Sequence, residues 1–197
     1  WSFVDFSERK KLRGMRMSRL AGTFSKLKAE DRKALIIYMT ACDPDLETAV
    51  AAAKAAFEHF GQTSKSERLE LLRSIRVVSE RRFEELAQAI RLEMGAPITM
   101  AREAQADAAI GHLDGFIQAL EKLEEQARFD NGEIVLKEPI GVCGLITPWN
   151  WPINQVVLKV LPVIATGCTC VLKPSEHTPV SAMLYAEILD EAGVPAG

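Results

Sequence analysis

The order of predicted elements in the second half of the chain most limits how it can fold. Apolar, strand-like runs at residues 139–147 and 168–172 flank a helical stretch at 152–166, and Thr178-Pro179 begins another helix. A strand–helix–strand connection is right-handed and leaves its two strands parallel and side by side. The sequence therefore predicts an α/β fold that contains a partial doubly wound, Rossmann-like βαβα unit.

Helices are predicted before this unit. Residues 46–60 form an alanine-rich helical stretch that Gly61 ends, and a capping-box spacing of Ser64 and Glu67 begins an amphipathic helix that runs to Gly95. A further helix is predicted at 99–126. A turn at 131–132 then introduces a strand at 133–137. We expect a helical region at 48–127, and a strand followed by the βαβα unit at 131–197.

Composition excludes several classes of function. The hydrophobic content of 48% is that of a globular protein, and a net charge of −3 gives no reason to expect a nucleic-acid partner. No apolar run approaches the roughly 18–20 residues that cross a bilayer, so no membrane partner is expected. The few cysteines predict a reduced, cytoplasmic protein, and the Cys168-x-Cys170 pair lacks further ligands, so no metal site is expected.

Two loops follow the carboxyl ends of the predicted parallel strands, at residues 147–152 and 173–176. Ligands of open parallel sheets bind at this edge, so Asn150, Lys173 and Glu176 should line one crevice. Lys173 can donate to ribose hydroxyls or phosphate, and Glu176 can accept from a ribose 2′-hydroxyl. The Asn150 amide can donate to an oxygen that becomes negative when a carbonyl is attacked.

Each of these residues also has a simpler interpretation. Lys173 can be a solvated surface residue, Asn150 a helix N-cap, and Glu176 an acid that the helix dipole favours. The G-x-G-x-x-G fingerprint of dinucleotide sites is absent from the sequence. The residues point to a nucleotide and a carbonyl only when they are taken together.

Several motifs resemble the aldehyde dehydrogenase family. They are EPIGVCGLITPWNWP at 138–152, KVLP at 159–162, GCT at 167–169, VLKPSE at 171–176 and LEMGAP at 92–97. The similarity spans roughly residues 48–197, which resemble the N-terminal, NAD-binding portion of that family. The resemblance implies oxidation of an aldehyde to a carboxylic acid, with NAD as cofactor and NADP possible.

The resemblance also implies roles for individual residues. Asn150 would be catalytic, as the oxyanion donor to the thiohemiacetal and thioester. Asn150 would also bind the cofactor. The other cofactor-binding residues would be Ile146, Thr147, Pro148 and Trp149, which would line the nicotinamide–ribose path, and Lys173, Ser175 and Glu176, which would hold the adenosine ribose. The family's nucleophilic cysteine and base glutamate lie beyond residue 197, so we expect an N-terminal fragment that is inactive alone. Intact family members bind an aldehyde and a dinucleotide and form homo-oligomers.

The N-terminus carries a second resemblance. Residues 1–16 show no periodicity and are expected to be disordered, whereas residues 17–47 resemble the first helix and strand of the tryptophan synthase alpha chain, through KALIIYMTACDPD at 33–45. The join suggests a fusion or chimera. Two alternative functions therefore stay open: a tryptophan synthase alpha-like lyase fragment, and a non-catalytic interaction module built on the amphipathic helices.

Overall fold

The computed structural model describes residues 45–195, and the expectations for residues 1–16 and 17–44 lie outside this range. The described chain contains helices, one π-helix and four strands. The helices are α1 (Leu46–Phe60), α2 (Lys65–Arg81), α3 (Phe83–Met94), α4 (Ile98–Met100), the π-helix (Ala101–Ala106), α5 (Asp107–Lys122), α6 (Pro152–Ala165) and α7 (Pro179–Glu191). The strands are β1 (Gln126–Arg128), β2 (Ile134–Leu136), β3 (Val142–Ile146) and β4 (Thr169–Lys173).

The first helices begin where the sequence predicts. Asp45 caps α1 by accepting a 2.7 Å hydrogen bond from the Thr48 N–H. The capping box at α2 is formed in both directions, because Ser64 Oγ accepts from the Glu67 N–H and the Glu67 carboxylate accepts from the Ser64 N–H. These bonds satisfy amide groups that a helix start otherwise leaves unpaired.

The apolar stripe predicted as one helix from Ser64 to Gly95 is divided into α2 and α3. The break is at Arg82, whose backbone leaves the helical region with φ −99° and ψ 13°. The nearly buried Arg82 side chain donates to Glu85 at 3.0 Å and to Glu187 of α7 at 2.7 Å. The interruption therefore lies where a charged side chain ties the helix junction to α7.

The helix predicted at 99–126 is also different in detail. It consists of α4, the π-helix and α5, and it ends at Lys122. Lys65 Nζ donates 2.8 Å hydrogen bonds to the carbonyl groups of Glu121 and Leu123, which satisfies acceptors at the end of α5. Residues beyond this point form β1, which pairs antiparallel with β2 through the Asn131-Gly132 turn.

The predicted strand–helix–strand unit is confirmed. β3 and β4 are parallel neighbours connected by α6, with Val142 opposite Thr169 and Ile146 opposite Lys173. β3 is more buried than β2, although Gly144 and Ile146 of β3 are exposed. Within residues 45–195 the parallel sheet has only two strands, so β3 has one hydrogen-bonded neighbour and incomplete cover.

A continuous apolar core joins the helical region to the βαβα unit. Its fully buried side chains come from α2, α3, α5, α6 and α7, and include Leu72, Ile75, Leu86, Ile90, Leu113, Ile153, Leu161 and Ile188. Buried polar contacts reinforce this packing, as where Thr169 Oγ1 of β4 donates to the Ala53 carbonyl of α1 at 2.7 Å. Among the helices of the described range, none has the length and apolarity needed to span a membrane.

Candidate functional site

The carboxyl ends of β3 and β4 meet at one edge of the sheet. Ile146 and Lys173 are register partners, and the Thr147 N–H donates to the Lys173 carbonyl at 3.2 Å. The loops that follow the two strands therefore begin side by side. This confirms the predicted common edge, because a parallel pair places both loops at the same end.

The first loop connects β3 to α6 and presents mainly exposed side chains. Pro148, Trp149 and Asn150 are exposed, whereas Thr147 is buried. Asn150 is not the N-cap of α6, because Trp151 occupies that position and Pro152 is the first helical residue. The simpler interpretation of Asn150 as a helix cap is therefore wrong.

The second loop connects β4 to α7 and carries a loose ion pair. Lys173 Nζ lies 3.7 Å from Glu176 Oε2, and the two side chains are 51% and 76% exposed. A backbone hydrogen bond at Glu176 itself and the nearby Lys173 charge lower the pKa of the Glu176 carboxyl. Exposed pairs of this kind are weak, so both groups are free to turn toward a ligand.

Ser175 lies between these two charged residues but faces inward. Its side chain is buried, its Oγ accepts from the His177 N–H at 3.2 Å, and its carbonyl accepts from the Thr178 N–H at 3.2 Å. Of the eight residues predicted for the site, Thr147 and Ser175 are thus the two buried ones. The structure gives Ser175 a role in shaping the loop.

Glu93 was not predicted from the sequence, yet it contacts the element that follows the second loop. Its carboxylate accepts hydrogen bonds from the N–H groups of Val180 and Ser181, at 2.7 and 3.0 Å. Burial raises the pKa of Glu93, and these hydrogen bonds act in the opposite direction. One feature of the sequence could have indicated Glu93: it is an acidic residue near the C-terminal end of a helix, where the helix dipole favours cations.

The cysteines of the described range lack the features of a nucleophile. Cys143 and Cys170 are register partners on β3 and β4, and Cys168 is buried beside them. Burial raises the pKa of Cys143 and raises that of Cys170 to about 12. Both thiols are therefore protonated at neutral pH, whereas the thiolate is the reactive form. Among residues 45–195, no group of three or more side chains has the arrangement of a metal site.

Comparison with known proteins identifies the family. The model of the aldehyde dehydrogenase family matches residues 18–197. The match includes almost all of residues 17–47, and the resemblance of that stretch to the tryptophan synthase alpha chain is not supported.

Individual relatives match a shorter part of the chain. The 3-succinoylsemialdehyde-pyridine dehydrogenase of a Pseudomonas species is 48% identical over 153 residues, which are 77% of this chain and 32% of the relative. A putative aldehyde dehydrogenase of Staphylococcus saprophyticus is 44% identical over 154 residues, again 32% of its length. The chain thus spans about a third of the length of the curated relatives that it matches.

Solved structures agree with these matches. The aldehyde dehydrogenase of Bartonella henselae superimposes with a TM-score of 0.74 at 48% identity, over 76% of this chain and 32% of that one. A mutant of aldehyde dehydrogenase C from Pseudomonas syringae, solved with NAD+ and octanal, gives a TM-score of 0.74 at 47% identity, over 76% and 31%. With a family match over most of its length and the predicted βαβα unit in place, the chain belongs to the aldehyde dehydrogenase family.

Proposed function

We propose that this chain supplies part of the cofactor and substrate cleft of an NAD(P)-dependent aldehyde dehydrogenase, which oxidises an aldehyde to a carboxylic acid. The parallel register that pairs Ile146 with Lys173 carries the proposal, because it brings the two predicted ligand loops to one sheet edge. The similar Pseudomonas syringae enzyme holds NAD+ and octanal, a dinucleotide and an aldehyde.

The proposed domain assignment follows the predicted boundaries. Residues 48–197 would be a partial NAD-binding domain, with a helical region at 48–127 and the strand and βαβα unit at 131–197. Helices α1 to α5 lie in the first region, apart from the start of α1 at Leu46, and β2, β3, β4, α6 and α7 lie in the second. β1 spans the boundary at residue 127. Because the core is continuous across it, the two regions support each other.

The second loop suits the ribose of a dinucleotide. Lys173 offers an exposed ammonium group that can donate to hydroxyl or phosphate oxygens, and Glu176 offers an exposed carboxylate that can accept from hydroxyl groups. Ser175 would contribute by holding the turn between them. A carboxylate beside a ribose 2′-hydroxyl favours NAD, and NADP is the alternative cofactor.

The first loop would serve the reacting end of the dinucleotide. Ile146, Thr147, Pro148 and Trp149 would line the nicotinamide–ribose path, and Asn150 would donate to the oxygen of the aldehyde as it gains negative charge. The Asn150 side chain is exposed, which leaves its amide available for this role. When bound, NAD(P) is the hydride acceptor.

We also propose that these 197 residues do not oxidise aldehydes alone. Cys143 and Cys170 are held as neutral thiols, which are poor nucleophiles, and Cys168 is buried. The nucleophilic cysteine and the base glutamate would come from another part of the enzyme. A cytoplasmic location fits the free thiols, and a homo-oligomer fits the exposed apolar side chains of β2.

Calorimetric titration with NAD tests the cleft. We expect Lys173→Ala to weaken binding about tenfold, which corresponds to about 1.4 kcal/mol. Lys122→Ala, at the exposed end of α5, is the matched control and should leave the affinity unchanged. Equal affinities of the native chain and Lys173→Ala would contradict the proposed ribose site. Aldehyde-dependent NADH formation by the 197-residue chain would contradict the proposal that it is inactive alone.

A further inference from the structure

Helix α7 begins without a cap of its own. Thr178 occupies the N-cap position with φ −135° and ψ 60°, and its side chain makes no capping hydrogen bond. Pro179, the first helical residue, has no N–H to satisfy. The N–H groups of Val180 and Ser181 therefore need an acceptor from elsewhere.

Glu93 supplies this acceptor from the last turn of α3. Its two carboxylate oxygens accept separately, Oε2 from Val180 at 2.7 Å and Oε1 from Ser181 at 3.0 Å, across 87 and 88 positions of sequence. A carboxylate at a helix N-terminus also interacts favourably with the helix dipole. Glu93 thus does for α7 what an N-cap residue usually does, but it acts from the helical region.

This contact fixes one end of the loop at residues 174–178, and the sheet fixes the other. At the sheet end, the Lys173 carbonyl accepts from the Thr147 N–H at 3.2 Å. Inside the loop, Ser175 accepts from the N–H groups of His177 and Thr178, each at 3.2 Å. Glu176 is exposed on this loop, which is held at both ends, and Lys173 is exposed at the end of β4 beside it.

We infer that Glu93 is a positioning residue for the loop at residues 174–178: by holding the start of α7, it sets where Glu176 stands relative to Lys173 and to a bound ribose. This inference rests on the proposed function for its ligand. Glu93 contacts the start of α7 and would act on the ligand only through the loop that precedes this helix. Its effect on NAD should therefore be indirect, through the loop conformation.

The test compares Glu93→Ala and Glu93→Gln with the native chain. Glu84→Ala is the matched control, because it removes an exposed carboxylate from the opposite end of the same helix. This carboxylate pairs with Arg102 and not with the start of α7. Amide exchange of His177 and Thr178 by NMR reports the order of the loop, and calorimetry reports NAD affinity. The amides of Ile75 and Leu113 in the core report whether each variant is folded.

We expect Glu93→Ala to accelerate exchange at His177 and Thr178 at least about tenfold and to weaken NAD binding by about the same factor. Glu93→Gln keeps one acceptor oxygen and should be intermediate, and Glu84→Ala should match the native chain. If Glu93→Ala loses its core amide protection, Glu93→Gln decides the question.

Two outcomes would overturn the inference. Faster exchange at Val180 and Ser181 alone, with His177 and Thr178 unchanged, would make Glu93 only a helix cap. Native-like NAD affinity in a Glu93→Ala variant with a disordered loop would remove its positioning role. If the native chain fails to bind NAD, the proposed function fails for this chain, while the exchange rates of His177 and Thr178 still decide whether Glu93 orders the loop.

Discussion

Arg68 and Ala165 are joined by a hydrogen bond across 97 positions of sequence. Arg68 Nε of α2 donates to the Ala165 carbonyl at the end of α6, at 2.9 Å, and the arginine is only 4% exposed. The same guanidinium also donates to the Thr63 carbonyl and to the Glu125 carboxylate. One buried cation therefore connects the start of α2, the residues before β1 and the helix between the two parallel strands.

Replacing Arg68 should destabilise the protein strongly. We expect Arg68→Ala to lower the free energy of unfolding by about 3 kcal/mol, because buried acceptors lose a charged donor. Arg73→Ala is the control, because Arg73 pairs with Glu121 at 2.7 Å on the surface and should change stability by less than about 1 kcal/mol. Urea denaturation measures both, and equal destabilisation would contradict the prediction.

Gly167 is required for two reasons. Its φ of +74° is unfavourable for other residues, and an added Cβ would lie 3.1 Å from Pro139 Cγ and 3.2 Å from Arg68 Nη1. Gly132 has a similar φ of +87° with open space around it. We expect Gly132→Ala to destabilise by about 1 kcal/mol from backbone strain alone, and Gly167→Ala by clearly more, about 2–3 kcal/mol. Equal melting temperatures for the two variants would show that the contacts around Gly167 relax freely.

Glu84 should remain ionised at acidic pH values at which an ordinary glutamate is already protonated. Its hydrogen bonds, first with Arg102 and then with Gln88, lower its pKa to about 2 from an ordinary value of 4.5. Because the folded-state pKa is lowered, the stabilisation is complete above pH 4.5 and is lost as the pH falls toward 2. A carboxyl NMR titration should find the low midpoint in the native chain and a higher one in Arg102→Gln. The same midpoint in both proteins would refute the assignment to Arg102.

Cys170 should resist alkylation while the protein is folded. Burial raises its pKa to about 12, so almost no thiolate is present at pH 8. We expect iodoacetamide to modify Cys170 at least about a hundredfold more slowly in the native chain than in urea, as followed by peptide mass spectrometry. Similar rates in both states would mean that the β4 thiol is accessible and ionised.

The sequence was a good guide where one local signal decides the structure. The Ser64–Glu67 capping box, the helix end at Gly95 and the strand–helix–strand order are each specified by a short segment, and all are present. The common edge of the loops that follow β3 and β4 was predicted from the geometry of that connection. This is why the two loops could be placed at one sheet edge before the geometry was known.

What the sequence did not predict depends on distant partners. The break at Arg82 coincides with its contact to Glu187, and the end of α5 at Lys122 coincides with hydrogen bonds from Lys65. Glu93 belongs to the same class, because its partners lie on α7. Side-chain contacts across about 50 to 100 positions leave no periodic trace in the sequence.

The hairpin of β1 and β2 has a further consequence for how the molecule opens. Ile134, Val135 and Leu136 of β2 are all exposed, so the pair is held mainly by its own ladder, with Lys137 bonded back to the Glu124 and Glu125 carbonyls. An isolated two-stranded ribbon is only marginally stable. Spontaneous opening should therefore begin here, well before the buried helices separate, and a protease should nick the chain first in the segment between Arg128 and Ile134.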